Sequence, residues 1–290
     1  MIIVRLTDGL GNQMFQYAVA RNLAALEATN LKFDISWYQG KSKTQQKRQY
    51  CLDAFKIKEE FAIQNELDYF FNPQLAERLR RKVRSIFRFS PDSMIITEKS
   101  FEYDPMPVKS TKNVYLKGYW QSEKYFCNIR EILLEDFSLK LKLSKSIEEK
   151  LQEILTCNSI SLHIRRGDYV NDEQVTRVHG TLSLSYYKKC LEYIFCYVNN
   201  PCVFVFSDDL EWVRQNLNLP CPVTLVNGNK FEDLMLMSKC KHNIIANSSF
   251  SWWGAWLNQN NNKIVCAPEK WFQVSSRSVL YIVPSSWIKF

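Results

Sequence analysis

Apolar residues along this chain fall into two rhythms, and their alternation divides it into strands and helices. Nearly continuous hydrophobic runs occupy 159–164, 202–206, 223–226, 243–246 and 263–266. Short runs of this kind are expected of strands buried on both faces of a parallel sheet. Between them, helical spacing marks 185–198, 210–218, 231–239 and 248–258. The first half opens in the same way, with a strand at 2–6, a Gly-containing turn, a helix over 12–26 and a strand at 31–35. A further strand is expected at 113–116, and a Lys-, Glu- and Leu-rich helix over 141–155 leads into the second series. Strands alternating with helices of this length predict an α/β fold with parallel sheets. The simplest division is into two domains, 1–145 and 146–290, with a working cleft between them.

The strand at 159–164 ends in Arg165, Arg166, Gly167 and Asp168. Strand alternation puts His163 and Arg165 on one side, Leu162 and Ile164 on the other. Ligands of α/β sheets bind at such strand ends, and a guanidinium is a natural partner for phosphate. About eighty residues later, the strand at 243–246 meets a serine-rich turn, Asn247 to Ser251, that opens a helix. Unpaired amides and the helix dipole make that start an anion site, to which Ser248, Ser249 and Ser251 add hydroxyls. A serine there can also be a cap and nothing more. Together, the arginine strand and the serine turn point to one phosphorylated small molecule.

Two acidic positions extend the picture. Asp208 follows the strand at 202–206, and Asp233 opens the helix at 231–239. Such a carboxylate either serves the helix dipole or accepts from a ribose or from the paired N–H groups of guanine. The turn Asp8-Gly9-Leu10-Gly11-Asn12-Gln13 starts like a dinucleotide fingerprint, but Met14 stands at its third glycine. The side-chain amides of Asn12 and Gln13 still sit at a helix start. Trp252, Trp253 and Trp256 are expected to be core.

Composition narrows the classes. At 290 residues, 46% hydrophobic and 23% charged, the chain reads as globular, with no apolar run long enough to span a bilayer. It starts directly as a strand, so it is expected to stay in the cytoplasm. The nine cysteines lack zinc-ligand spacing and are expected to be reduced thiols. No Asp-x-Asp triplet is present to chelate a divalent metal, so none is expected. The net charge of +8 owes much to residues 78–88, which hold six basic residues and no acidic one. As an amphipathic helix this segment can lie on anionic lipid, or simply be a solvated face. No nucleic-acid-binding module accompanies it.

The segments GLGNQMFQYA (9–18), HIRRGDYV (163–170), HGTLSLSYY (179–187), FSDD (206–209), EDLMLMSKCKHNIIANSSFSWWGAWLN (232–258) and PEKWF (268–272) together resemble the bacterial α-1,2-fucosyltransferases of glycosyltransferase family 11. The resemblance implies a GT-B architecture of two Rossmann-like domains facing across a cleft, the second binding GDP-fucose. It also implies inverting transfer of L-fucose to the 2-hydroxyl of a terminal β-galactoside in O-antigen biosynthesis, without metal or cofactor. Arg165 matches the arginine on the β-phosphate, and His163 and Asp233 match the guanine contacts. Ser248, Ser249, Phe250 and Ser251 match the turn around the diphosphate, and Asn12 and Gln13 match amides reaching the donor. Asp208 falls among the donor-binding positions, and Arg166 and Asp168 among the catalytic ones. Asp168 is the candidate general base, although it could merely hold Arg166, and His179 is a weaker alternative. Residues 41–104 would shape acceptor choice, and the segment after Pro268 would cross back onto the first domain. The expected partners are the nucleotide sugar and a β-galactoside, lipid-linked or not, with membrane contact through 78–88 and no nucleic acid. Two alternatives stay open: fucosyl transfer in another linkage such as α-1,6, or a non-catalytic nucleotide or RNA binder.

Overall fold

The computed structural model describes residues 1–40, 48–72, 93–100, 102–105, 113–140, 142–273 and 281–290, except the side chains of Ser93, Asp168, Asn171 and Gln174. The basic segment 78–88 lies outside the described residues. The chain forms two compact units, Met1–Ser138 and Leu139–Phe290. The expected division was at 145/146. The helix leading into the second series therefore belongs wholly to the second unit.

The first unit runs β1 (Ile2–Arg5), α1 (Leu10–Leu26), β2 (Leu31–Asp34), α2 (Gln64–Phe71), β3 (Ser93–Thr97), β4 (Asn113–Lys117) and α3 (Arg130–Asp136). The strands of its described residues are all parallel, in the order β2-β1-β4-β3. Ile2, Ile3 and Val4 are fully buried, as a central strand covered on both faces requires. Helix α1 begins two residues earlier than its periodicity suggests. The extended backbone of Gly9 provides its N-cap, and the Gly9 carbonyl accepts from the N–H groups of Asn12 and Gln13. β3 is an edge strand whose Ile95 is exposed, so its pattern carries little of the burial signal that betrays a central strand.

The second unit runs α4 (Lys145–Thr156), β5 (Asn158–Ile164), α5 (Gly167–Asn171), α6 (Glu173–Val178), α7 (Leu184–Phe195), β6 (Pro201–Ser207), α8 (Leu210–Asn216), β7 (Val223–Val226), α9 (Lys230–Lys239), β8 (His242–Ile244), α10 (Ser249–Trp256), β9 (Val265–Ala267) and β10 (Ile288–Lys289). Among the described residues the strands are all parallel, in the order β10-β9-β8-β5-β6-β7. The strand order reverses between β5 and β8, the topological switch point at which doubly wound sheets bind ligands. Ile160, Leu162 and Ile164 pack against Tyr187, Leu191 and Ile194 of α7 and against Val203 and Val205 of β6. Burying each such side chain stabilises the sheet by about 1.5–3 kcal/mol. On the opposite face Ser161 Oγ accepts from Asn243 Nδ2 at 2.7 Å, and Asn258 Nδ2 donates to Asn243 Oδ1 at 2.7 Å. That buried amide ladder fixes the register of β8 against β5.

The closing segment departs from expectation. Residues 281–290 complete the second unit's own sheet, with Ile288 in register with Cys266. Glu269 N–H donates to Phe290 O at 2.8 Å, and Phe290 N–H to Ala267 O at 3.1 Å. These bonds satisfy the open edge of β9, which would otherwise leave its main-chain groups unpaired. All nine cysteines are free thiols. No described helix is long and apolar enough to cross a membrane.

Candidate active site

The loops that leave the C-terminal ends of β8, β5 and β6 are neighbours because their strands are, and they carry most of the candidate residues. Arg165 and Arg166 follow β5, Asp208 and Asp209 follow β6, and Asn247 to Ser251 follow β8. Arg165 Nη1 pairs with Asp208 Oδ2 at 2.7 Å, and its guanidinium lies 5.6 Å from the centre of the Tyr169 ring. The Tyr169 hydroxyl, in turn, donates to Asn247 O at 3.0 Å. His163 closes the same gap from the strand, its ring 5.7 Å from that of Phe250. The arginine and the serine turn are thus joined by two aromatic bridges.

At the start of α10 the amides are only partly capped. Ser248 Oγ accepts from Phe250 N–H at 3.4 Å, and Trp252 N–H begins the ladder on Ser248 O. Behind them Trp252, Trp253 and Trp256 are core, as expected. Trp252 and Trp256 stack at 12°, and Trp252 Nε1 donates to Ile282 O at 2.7 Å. The helix start is therefore a rigid donor group, half-exposed at Ser249 and Phe250.

Three of the candidate side chains have partners within the protein. The buried Ser251 Oγ donates back to Ser248 O and Ala246 O at 3.3 and 3.5 Å. Both Asp208 oxygens are engaged by the neighbouring loop, Oδ2 by Arg165 and Oδ1 by Arg166 N–H at 2.8 Å. Gln13 is fully buried in the first unit. It donates to Asp8 O and Gln49 O at 3.0 and 2.8 Å and accepts from Cys51 N–H, so its side chain pins a loop. Asn12, half-buried beside it, accepts from Gln121 Nε2 at 2.8 Å.

Arg166 sends Nε to Asp209 Oδ2 at 3.2 Å and holds its guanidinium carbon 3.8 Å from the centre of the Trp212 ring. Asp168 lies in α5, next to the arginines in sequence, and its side chain is outside the described residues. His179 stacks on Tyr169 at 5.0 Å.

Among the described residues, His163 Nδ1 and Asp233 Oδ1 are two of the buried polar atoms without a hydrogen-bond partner; Asn247 Oδ1, in the serine turn, and Ser122 Oγ, in the first unit, are others. Burial, and then the positive charge of Arg165, hold the His163 imidazole down to about 3, so it is neutral throughout the physiological range. Burial pushes the Asp233 carboxyl up to about 7, the Gly228 N–H pulling against it and Glu232 adding to it. Unmet polar atoms at a strand end and a helix start are expected where a ligand completes the bonding. Among the described residues no group of three His, Cys, Asp or Glu could hold a metal ion. Tyr169, Asn247 and Trp212 were not singled out from sequence. Tyr169 and Asn247 both stand inside quoted motifs, and their polar atoms within aromatic surroundings were the available signal.

A profile of the family described as Glycosyl transferase family 11 matches residues 89–282. The chain belongs to glycosyl transferase family 11. Among its relatives in this family, an α-1,2-colitosyltransferase of Escherichia coli is 35% identical over all of this chain and 98% of its own. The O-antigen biosynthesis glycosyltransferase WbnK of Escherichia coli is 34% identical, over 98% of both chains. The galactoside 2-α-L-fucosyltransferase SEC1 of Bos taurus is 26% identical over 50% of this chain and 42% of its own. Among solved structures, a mutant of Arabidopsis thaliana FUT1 in complex with GDP is similar with a TM-score of 0.50 at 11% identity, covering 98% of this chain and 74% of that one. This family member has the GT-B fold, each unit carrying a parallel sheet.

Proposed function

We propose that this family 11 glycosyltransferase moves L-fucose from GDP-fucose to the 2-hydroxyl of a terminal β-galactoside in an O-antigen-type glycan, with inversion and without a metal ion. One observation carries the reading: the Arg165 loop and the Ser248-capped helix leave neighbouring strands at the point where the strand order reverses. In this mechanism the bond from the sugar to the diphosphate breaks first, and its electrons stay on GDP. Arg165 and the first amides of α10 meet that growing charge, and such preorganised donors are usually the largest catalytic contribution. The acceptor oxygen attacks the opposite face of the cationic sugar. Asp168, in the short helix after the arginines, is the group proposed to take its proton. Guanine falls to His163 and Asp233, whose unmet atoms can meet its polar edge. The acceptor is proposed to reach the enzyme at the cytoplasmic membrane surface on a lipid carrier.

A second donor is favoured by the full-length likeness to a colitosyltransferase. Colitose lacks one hydroxyl that fucose carries. A site that hydrogen-bonds that hydroxyl would discriminate against its absence by about 10⁴-fold or more, whereas an apolar pocket would not. The deciding experiment offers GDP-fucose and GDP-colitose in competition, with a β-galactoside acceptor and EDTA, and reads the product linkage by NMR. A fucosyl product linked α-1,2 in the presence of EDTA is expected. A colitosyl product, a different linkage, or dependence on added metal would each replace the corresponding part of the reading.

A further inference from the structure

We propose that Asp208 is a positioning residue: it aims the Arg165 guanidinium and reads no part of the nucleotide. The inference rests on the transferase reading above and deepens it. Asp208 Oδ2 meets Arg165 Nη1 at 2.7 Å while Oδ1 accepts Arg166 N–H at 2.8 Å. The carboxylate is therefore fixed at both ends to the loop that carries the arginine. It also lies flush against that loop. A Cβ on Gly167 would fall 2.4 Å from Asp208 Oδ2 and 3.0 Å from its Cγ, so only a glycine leaves room for this contact.

The turn behind Asp208 is held just as firmly. Asp209 N–H donates to Ser207 Oγ at 3.0 Å, and Asp209 Oδ1 accepts from Trp212 N–H at 3.0 Å, capping α8. Asp209 Oδ2 accepts from Arg166 Nε, and the Arg166 guanidinium lies over the Trp212 ring. Two aspartates on one loop thus lace two arginines on the next, each acid to its own base. Arg166 acts through this lacing and steadies the turn that presents Asp208.

The chemistry argues for aim and against recognition. A carboxylate beside a leaving diphosphate repels it, so Asp208 should contribute little to nucleotide affinity. Its value is that a long, flexible arginine is set in place before the donor arrives, and donors that need not reorganise are the effective ones.

The test separates rate from affinity. In Asp208→Asn, kcat should fall about thirtyfold, the rate equivalent of the rotamer freedom of one arginine, while GDP affinity by calorimetry changes less than about threefold or improves. Gly167→Ala should give the same split with every charge retained, because its methyl displaces the same carboxylate. Arg165→Ala sets the scale, with a loss of at least roughly a few hundredfold. In the unliganded wild type, ¹⁵N NMR should show a slowly exchanging Arg165 Nη1–H that Asp208→Asn abolishes while the thermal melt stays cooperative. GDP affinity falling in step with the rate would make Asp208 a nucleotide contact and overturn the inference. An unchanged rate in both variants would overturn it too. Wild-type protein that binds no GDP would instead end the transferase reading, and the inference with it.

Discussion

Asp233 and His163 are single side chains whose unliganded state is unfavourable, and that has a measurable consequence. The Asp233 carboxyl is raised from its ordinary value to about 7, chiefly by burial. A carboxyl raised in the folded state contributes stability that is complete below its unfolded pKa and is lost as pH climbs through the folded one. Asp233→Asn should therefore melt higher than wild type at pH 8, and the gap should close as the pH is lowered toward 4. Guanine offers N–H donors, which the ionised form accepts, so wild-type GDP affinity should rise from pH 6 to pH 8 relative to that of the variant. The difference can reach about tenfold per pH unit below the midpoint. Calorimetry on both proteins checks it, and parallel pH profiles would remove Asp233 from the guanine site. His163 and Arg165 were legible in the sequence because strand alternation places them without any tertiary knowledge. Asp208 was not. Its pairing with Arg165 depends on β5 and β6 lying side by side, with Ile164 opposite Ser207, which no local pattern states.

At the scale of elements, the site depends on how β5, α5 and the turn before α10 are tied together. Tyr169 leaves α5 buried, faces the Arg165 guanidinium with its ring and donates to Asn247 O with its hydroxyl. Asn247 Nδ2 then reaches His179 O, Gly180 O and Trp271 O, gathering three further segments around the same point. Tyr169→Phe removes one hydrogen bond and leaves a buried carbonyl unmet, which costs about 1–3 kcal/mol. A lower melting temperature is expected, with GDP bound several-fold more weakly and the arginine intact. Unchanged GDP affinity would show that the strut carries fold alone. The central strands and longer helices were readable from hydrophobic period, because burial on both faces is written directly into composition. The short helices α5 and α6 were not, being too brief to show a period and set by contacts such as Thr176 Oγ1 to Tyr169 O at 2.7 Å. The two-residue β10 escaped for the same reason: its partner, β9, is about twenty residues away in sequence.

For the molecule as a whole, the sequence announced two α/β halves, with a division at 145/146 where the structure has 138/139. The surplus of +8 and the run at 78–88 bear on where the enzyme works. If its acceptor is presented at a membrane, vesicles containing about a quarter anionic lipid should sediment the protein and neutral vesicles should not. Raising the salt to about 0.5 M should release it, since screening then acts within a few ångströms. Equal recovery from both vesicles would leave the enzyme free in solution. The helix that opens at Ser248 has a different whole-molecule meaning. From Ser251 to Trp256 every residue is buried, packed in an indole bed that is also the second unit's interior. It has no spare face on which sequence can drift. Efforts to re-engineer the sugar-nucleotide preference by stepwise substitution in that helix will meet misfolding before they meet new chemistry, and diversification is cheaper in the loops around it.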